Sequence, residues 1–332
     1  MNITKQLTSC ALAFAACCLA ASGATPPQLR IARFAGDRAA AISYTFDDGL
    51  RDQYTLAVPM LNEAGFKGTF FVIPGHVAPS IEEAERKQDA KRAWGGITWP
   101  ELREMAGQGH EIASHTWSHR ALPKLAPEEV DAELAKAFDA IKTRIGRPPL
   151  TLAFPFNQST PETKAAVLKY HVASRDYQTG VGGGKTTVEW LENWTDKQVR
   201  DRAWGIIMAH GIGRGYAAFT DPEILRDHFR HVKGRAHEIW VDTFANVARY
   251  VKERDNARLV VSSPIPGRLV CVLSSTLEPA VYNVPLTLVI EAPVVTSARA
   301  KRAGGELPVR VVPGAIQIDA APDKDPITVT WH

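Results

Sequence analysis

Two short segments carry the side chains best suited to chemistry. The first reads Thr-Phe-Asp-Asp-Gly and ends an apolar run in two adjacent carboxylates, Asp47 and Asp48. The second reads Ser-His-Thr-Trp-Ser-His and supplies two imidazoles at i and i+4, His115 and His119. One carboxylate and two imidazoles form a three-ligand set for a divalent metal that leaves a coordination position open. The other carboxylate then stands beside the metal as a general base, and the pattern predicts a metal-dependent hydrolase.

The elements that must position these side chains follow an alternating pattern. From about Ile31 to Arg254, short apolar runs alternate with helical patterns, which is typical of β/α units. The predicted strands are Ala40–Phe46, Gly68–Ile73, Gly109–Ala113, Leu150–Phe154, His171–Ser174 and Gly205–Ala209. The predicted helices are Tyr54–Ala64, Trp99–Gln108, Glu128–Ile145, Pro161–Lys169, Lys197–Ala203 and Asp242–Arg254. The polar candidates follow the strands, and a parallel α/β barrel assembles its active site at the carboxyl ends of its strands.

The C-terminal part of the chain has a different pattern. From about Arg258, short β-type runs are separated by turns that contain proline and glycine, and no helical pattern intervenes. This predicts a small antiparallel β-sandwich. The predicted boundary lies near Asp255–Arg258, which gives a catalytic domain at 25–256 and an all-β sandwich domain at 257–332.

Residues 1–24 have the features of a secretory signal peptide. Lys5 is the only charged residue, an apolar run follows it, and small residues predict cleavage after Ala24. The apolar run is too short for a stable membrane span. We therefore expect the protein to be secreted or periplasmic.

The cysteines leave one alternative for this segment. The alternative to a secreted or periplasmic protein is a lipoprotein anchored at Cys17 or Cys18. Cys10 also lies in this segment. The fourth cysteine, Cys271, lies in an apolar strand pattern and is expected to be a buried core thiol. Cleavage after Ala24 would leave Cys271 as the one cysteine of the exported protein, which could then form no internal disulfide.

The composition and net charge of the chain point to no particular macromolecular partner. The chain has 332 residues, of which 45% are hydrophobic and 23% are charged, and its formal net charge is +3. That composition is typical of globular proteins, and the chain is long enough to form a full hydrophobic core. A charge so close to neutral does not indicate a nucleic-acid or membrane-surface partner. No integral membrane span and no protein partner are predicted.

The motifs resemble those of one known family. The two segments described first, together with Lys67-Gly-Thr-Phe-Phe-Val-Ile and Ile206-Ile-Met-Ala-His210, closely resemble the NodB-type polysaccharide deacetylases of carbohydrate esterase family four. The resemblance covers roughly Arg33 to Arg254. It implies a distorted (β/α) barrel, an acetylated carbohydrate as substrate and a divalent metal, Zn²⁺ in the first place, with Co²⁺ or a similar ion as the alternative.

The resemblance also implies a role for each residue of the first two segments. Asp48, His115 and His119 correspond to the metal ligands, and Asp47 to the general base. The metal would partly cancel the neighbouring negative charge, so that Asp47 stays ionised. Gly49 lets the chain turn immediately after the pair.

Three further roles follow from the same resemblance. The backbone N–H of Phe156, in a Pro-Phe turn, corresponds to a donor that stabilises the oxyanion. His210 corresponds to the general acid that protonates the leaving amine or alcohol. Asp176 is, by its position in the sequence, the candidate that holds the tautomer and charge of His210.

The chain departs from the family pattern at one motif. Many members have Arg-x-Pro-Tyr-Gly, whereas this chain has Ala-Phe-Pro-Phe-Asn. Ala153 therefore stands where an arginine usually orients the catalytic aspartate.

The predicted activity is hydrolysis of N-acetyl or O-acetyl groups of a carbohydrate, with release of acetate. Trp117 and Trp194 are the candidate aromatic walls of the cleft. One alternative is a related metal-dependent amidohydrolase that acts on a small non-sugar amide. The other is a non-catalytic carbohydrate-binding protein, which the intact set of acidic and histidine residues argues against. The polysaccharide, the metal, the oligomeric state and the role of the C-terminal domain stay open at this point.

Overall fold

The computed structural model describes residues 27–88, 96–292 and 294–332. The predicted signal peptide, with Cys17 and Cys18, lies outside these ranges. The helices are α1 (Val58–Ala64), α2 (Ile81–Gln88), α3 (Trp99–Gly107), α4 (Pro127–Ile145), α5 (Pro161–Val167), α6 (Val188–Arg200), α7 (Glu223–Gly234) and α8 (Phe244–Asn256). None of the helices in the described ranges is long and apolar enough to cross a membrane.

The strands alternate with these helices at first and then follow one another directly. They are β1 (Leu29–Ile31), β2 (Ala40–Asp47), β3 (Thr69–Val72), β4 (Glu111–Ser114), β5 (Thr151–Ala153), β6 (Ala173–Arg175), β7 (Thr179–Gly180), β8 (Trp204–Ala209), β9 (Ile239–Val241), β10 (Arg258–Ile265), β11 (Arg268–Ser274), β12 (Leu286–Glu291), β13 (Ala298–Arg302), β14 (Gly305–Leu307), β15 (Val309–Val312), β16 (Ala315–Ala320) and β17 (Asp323–Trp331). The change of pattern at β10 agrees with the sequence prediction.

A curled parallel sheet forms the scaffold of the first part of the chain. Its strands lie in the order β6-β5-β4-β3-β2-β8-β7, and β9 pairs with the first residues of β2. All of these pairings are parallel. β2 lies between β3 and β8, and every one of its residues is buried. The parallel half-barrel confirms the predicted distorted (β/α) barrel.

Both faces of this sheet are covered, as the apolar run of β3 predicts. Phe70 belongs to the main apolar cluster, together with Leu61 of α1 and Phe229 of α7. Its neighbour Phe71 belongs to a smaller cluster that includes Phe244, the first residue of α8. Successive residues of a strand point to opposite faces. A continuous apolar strand therefore indicates a sheet that is buried on both sides.

Two helices differ from the predictions. α6 begins at Val188, well before the predicted start at Lys197, and the hydroxyl of Thr187 caps it by accepting from a backbone N–H. No prediction covered α7, although Leu225, Phe229 and Val232 have helical spacing and are buried. Charged residues between these positions conceal the apolar stripe.

Two antiparallel sheets form the C-terminal sandwich. One has the strand order β10-β11-β17-β13-β14, and the other has the order β1-β12-β16-β15. Apolar side chains from both sheets form one core, which includes Leu269, Leu288, Ile318 and Val329. Cys271 is fully buried in this core, as predicted. The all-β sandwich confirms the second part of the predicted fold class.

The first strand of the described chain belongs to the sandwich, which the division at 256 and 257 did not anticipate. Leu29 of β1 pairs with Ile290 of β12, and β1 forms one edge of its sheet. Tyr250 of α8 lies in the core of the sandwich, and its hydroxyl donates to the carbonyl of Ala32 at 3.0 Å. β1 and α8 therefore join the two parts of the protein in addition to the chain connection.

Candidate active site

The turn after β2 carries the two neighbouring carboxylates. Asp47 is the last residue of β2, whereas Asp48 has a φ of 75° and Gly49 a φ of 68°. Such left-handed values are easy for glycine and uncommon for other residues. Asp48 therefore has a backbone conformation of raised free energy at the point where its carboxylate faces the histidines. Backbone strain of this kind is often found at functional sites.

A tight loop after β4, rather than a helix, presents the two histidines. His115 directly follows β4, and Thr116 and His119 have φ values of 66° and 61°. Glu133 of α4 holds this loop, because its carboxylate accepts from the backbone N–H and the hydroxyl of Ser118 at 2.9 and 2.6 Å. The histidine pair is therefore fixed by a helix that packs behind it.

Asp48, His115 and His119 converge on one point. Asp48 Oδ1 lies 3.5 Å from Nε2 of each histidine, and one ligand atom from each of the three residues lies within 4.8 Å of the others. Asp48 Oδ1 is buried and has no hydrogen-bond partner, although buried carboxylate oxygens normally have one. A divalent cation would satisfy this oxygen and balance its charge. The three residues therefore fit the predicted metal.

The protonation states of the three candidate ligands also favour binding of a cation. His115 Nδ1 bonds to the carbonyl oxygen of Ala153 at 2.8 Å, which assigns the proton to Nδ1 and leaves Nε2 as the ligand atom. Burial lowers the pKa of His115 to about 4 and that of His119 to about 3. Burial and the neighbouring charge of Asp47 raise the pKa of Asp48 to about 7. Neutral imidazoles are the form that binds metal.

Asp47 is paired with a buried arginine that the sequence analysis did not single out. Arg175 donates from Nη1 and Nη2 to the two carboxylate oxygens of Asp47, at 2.7 and 2.5 Å. Nη1 also donates to the hydroxyl of Thr45 at 2.7 Å. Burial raises the pKa of Asp47 and Arg175 lowers it, and the resulting pKa lies below its ordinary value. Asp47 is therefore an ionised and oriented carboxylate.

Arg175 takes the place of the missing motif arginine from the neighbouring strand. β5 and β6 pair in parallel, and their register sets Ala153 opposite Arg175. The guanidinium thus reaches the carboxylate from β6 instead of β5. The sequence held a signal, an arginine at the end of a predicted strand. Its meaning depends on the register of two strands, which spacing along the chain does not give.

His210 follows β8 and faces the other oxygen of Asp48. Its Nε2 lies 3.9 Å from Asp48 Oδ2. Gln53 Nε2 donates to the backbone carbonyls of both Asp47 and His210, at 2.6 and 3.0 Å. One side-chain amide thereby ties together the ends of β2 and β8. The ring of Tyr216 stands at 88° to His210, with 5.0 Å between centroids.

These side chains share one cleft of about 840 Å³. Phe156 has a φ of 58°, is 57% exposed, and places its ring 4.7 Å from that of His119. The role of its backbone N–H stays a prediction. The described residues that line the cleft are Asp47, Asp48, Leu50, His115, His119, Phe154, Phe156, Asn157, Gly180, Val181, Gly182, Met208, His210, Tyr216 and Ala217.

Asp176 lies elsewhere. Its carboxylate accepts from Lys164 at 2.8 Å and from the hydroxyl of Ser174 at 2.7 Å, and it borders a separate pocket. Neighbouring side chains of an extended chain point to opposite sides. Because Arg175 points toward Asp47, the adjacent Asp176 points away. The structure therefore contradicts the assignment of Asp176 as the partner of His210.

The aromatic side chains at the cleft also differ from the predicted ones. Trp117 lies under the ammonium group of Lys136, which is 4.1 Å from its ring centroid, and Trp194 is buried. Neither belongs to the described lining of the cleft. The exposed rings there are Phe156 and Tyr216.

Comparison with known proteins connects this geometry to one family. The family model described as polysaccharide deacetylase matches residues 36–173. The matched range contains the aspartate pair, the two loop histidines and Phe156. His210 lies beyond it and lines the same cleft after β8, and Arg175 lies beyond it and pairs with Asp47 from β6.

Two curated relatives and one solved structure illustrate the similarity. A gellan lyase of a Bacillus species is 21% identical over 345 residues, which cover 90% of this chain and 13% of that protein. YxkH of Bacillus subtilis, provisionally described as a polysaccharide deacetylase, is 30% identical over 137 residues, which cover 41% of this chain and 42% of that protein. The chain thus spans less than half the length of either relative.

The solved structure supports the fold. It is that of a Mycobacterium smegmatis protein provisionally described as a polysaccharide deacetylase. It has a TM-score of 0.50 and 16% sequence identity, and the match covers 68% of this chain and 94% of the other.

Proposed function

We propose that the chain, whose residues 36–173 match the model of the polysaccharide deacetylase family, is a metal-dependent hydrolase that removes acetyl groups from a carbohydrate. The observation that carries this proposal is the convergence of Asp48, His115 and His119 beside Asp47 in one cleft. The products are acetate and the free amine or alcohol of the sugar.

Asp47 and His210 divide the proton transfers of the proposed reaction between them. A divalent ion held there, Zn²⁺ or Co²⁺, would supply Lewis-acid chemistry to the acetyl group and to water. Asp47, kept ionised by Arg175, accepts a proton from the attacking water. His210 donates a proton to the sugar nitrogen or oxygen as it leaves. We assign the oxyanion donor to the backbone N–H of Phe156.

Acetate release by the purified protein tests the activity. The probes are chito-oligosaccharides, acetylated xylan, peptidoglycan and an aryl acetate, each with added Zn²⁺ and with a chelator. Asp47→Asn is the matched control, because it keeps the shape of the side chain and removes the base. We expect release that the chelator abolishes and that Asp47→Asn loses.

The other outcomes separate the alternatives. Protein that holds stoichiometric metal but acts on none of these probes would favour hydrolysis of a small non-sugar amide. Protein that binds no metal and releases no acetate would overturn the catalytic proposal and favour a carbohydrate-binding role.

We propose further that the protein is exported. The support is the sequence of residues 1–24, with its single lysine, apolar run and small residues before Ala24. Mass spectrometry of the N-terminus of the protein made in a bacterial host provides the test. A chain that begins after Ala24 agrees with secretion, whereas a lipidated Cys17 or Cys18 would mark a lipoprotein. Full-length protein retained in the cytoplasm would overturn the proposal.

A further inference from the structure

An exposed tyrosine stands beside the proposed general acid. Tyr216 is 68% exposed, and its ring lies perpendicular to that of His210 in the cleft. A large aromatic ring left in water forgoes the free energy that its burial would give. Exposed aromatic rings in a concave site are therefore typical of contacts with a ligand.

The segment that carries this ring, residues 211–218, is called the Tyr216 loop below, and a buried carboxylate anchors its first half. Asp52 is 2% exposed, and its Oδ2 accepts from the backbone N–H groups of Ile212, Gly213 and Arg214, at 2.7, 2.9 and 3.0 Å. Successive N–H groups that point at one anion form a strong and specific contact. The first half of the loop is therefore fixed to the turn that follows β2.

Backbone contacts anchor the second half. The N–H of Gly211 donates to the carbonyl of Tyr216 at 3.0 Å, and the N–H of Gly183 donates to that of Ala217 at 3.1 Å. A Cβ at Gly182 would lie 1.9 Å from the carbonyl oxygen of Ala217, so the two backbones meet where only glycine fits. The exposed ring of Tyr216 is therefore presented by a backbone that is held on both sides.

The position of the ring decides which part of a substrate it meets. Asp48 directs Oδ1 toward His119 and Oδ2 toward His210, so these two histidines lie on different sides of one carboxylate. Phe156 lies against His119, on the side of the acetyl chemistry. In the proposed function, His210 donates to the atom that leaves with the sugar. Tyr216, which contacts His210, is therefore on the side of the sugar.

We propose that Tyr216 stacks on a sugar ring of the leaving chain and makes the site select an acetylated oligosaccharide or polysaccharide over a small acetyl ester. The inference rests on the proposed deacetylase function. The face of the phenol ring meets the C–H groups of a sugar ring through dispersion and shared burial. Tyr216 contributes affinity for the carbohydrate chain, whereas Asp47 and His210 carry out the proton transfers.

Variants of Tyr216 test this contact with three probes: hexa-N-acetylchitohexaose, acetylated xylohexaose and an aryl acetate. The comparison uses whichever hexasaccharide the parent protein deacetylates faster. On that substrate, Tyr216→Ala is expected to lower kcat/KM by roughly five- to tenfold more than it does on the aryl acetate, mainly by raising KM. Tyr216→Phe keeps the stacking face and should rescue most of the loss. Trp190→Ala is the matched control, since Trp190 is 40% exposed on α6 and lies outside the described lining of the cleft.

A binding measurement gives a readout that does not depend on turnover. Isothermal titration calorimetry compares Asp47→Asn with the double variant Asp47→Asn, Tyr216→Ala. The Kd for the same hexasaccharide should be roughly five- to tenfold higher for the double variant. Equal losses on the hexasaccharide and the aryl acetate, or no loss on either, would overturn the inference. If the parent protein releases no acetate from any probe, the proposed function fails and the inference falls with it. If acetate is released but the substitutions of Tyr216 do not change the rates, the inference is wrong and the proposed function stands.

Discussion

The orientation of Asp47 depends on one guanidinium group. Arg175 is 2% exposed and Asp47 is equally buried, and the two side chains meet through both carboxylate oxygens. A bidentate arginine fixes the plane of a carboxylate as well as its charge. Because Ala153 lies opposite Arg175 in the sheet, either position could hold an arginine that serves the same carboxylate.

Moving the arginine between strands tests this equivalence. Arg175→Ala leaves Asp47 as a buried unpaired charge, so we expect the free energy of unfolding to fall by about 3–5 kcal/mol. Acetate release should fall by at least about 100-fold, since the base loses its orientation. Adding Ala153→Arg to this variant should recover part of both losses. Denaturant unfolding and initial rates measure the two effects.

A conservative variant separates charge from geometry at the same position. Arg175→Lys keeps the positive charge and lacks the planar fork, so it should preserve stability better than activity. A double variant no better than Arg175→Ala alone would show that the two strand positions are not equivalent.

The metal ligands differ from the other cleft histidine in one measurable respect. Asp48→Asn and His119→Ala each remove one of three converging ligands, and we expect metal affinity to fall by at least about 100-fold. His210→Ala is the matched control, because it removes a cleft histidine outside the ligand group. It should retain the metal and lose acetate release. Metal loss from His210→Ala equal to that from His119→Ala would contradict the assignment, and metal analysis after dialysis measures it.

At the scale of elements, the site is built from the loops that follow β2, β4 and β8, together with the turn after β5. Apolar runs mark the strands in the sequence, and the polar residue after each run marks the end of the strand. This made the aspartate pair, the two loop histidines and His210 predictable. Arg175, Gln53 and Tyr216 were not, because their roles depend on which strands are neighbours and on how a loop folds back.

The acidic side chain of Asp52 links two of these loops and gives a prediction at the same scale. Asp52→Ala would leave three backbone N–H groups of the Tyr216 loop without their acceptor. We expect the free energy of unfolding to fall by about 1–3 kcal/mol and amide exchange at residues 212–214 to accelerate. Asp52→Asn keeps one oxygen acceptor and should show a smaller effect. Unchanged exchange in Asp52→Ala would show that the loop does not depend on this carboxylate.

At the scale of the whole molecule, three histidines outside the cleft are buried and neutral. His110, His171 and His228 each have one ring nitrogen with a partner and one buried nitrogen without. Burial lowers their pKa values to about 4, about 4 and about 3. Protonation would place a charge in the core, so it is favoured only after unfolding.

These histidines predict that the fold weakens in mild acid. The unfolded chain binds protons near the ordinary histidine pKa of about 6.5, whereas the folded chain does so only near 3 to 4. Stability is therefore complete above about pH 6.5 and is lost as the pH falls below it. At pH values between the folded and unfolded pKa values, each histidine contributes a slope of up to about 1.4 kcal/mol per pH unit, and His228→Gln should reduce the total slope there by a similar amount. Urea unfolding in chelator between about pH 5 and pH 7 measures it, and an equal slope in parent and variant would contradict the prediction.

The place of β1 sets the order in which the protein can fold. Leu29 is made early and its partner Ile290 late, so the edge of the sandwich sheet stays open until most of the chain has been synthesised. The side chain of Tyr250 is likewise buried only once the sandwich core has formed. Contacts between such distant positions form slowly because a long loop must close first. β1, the first strand in the described part of the chain, can therefore pair only after β12 has been synthesised.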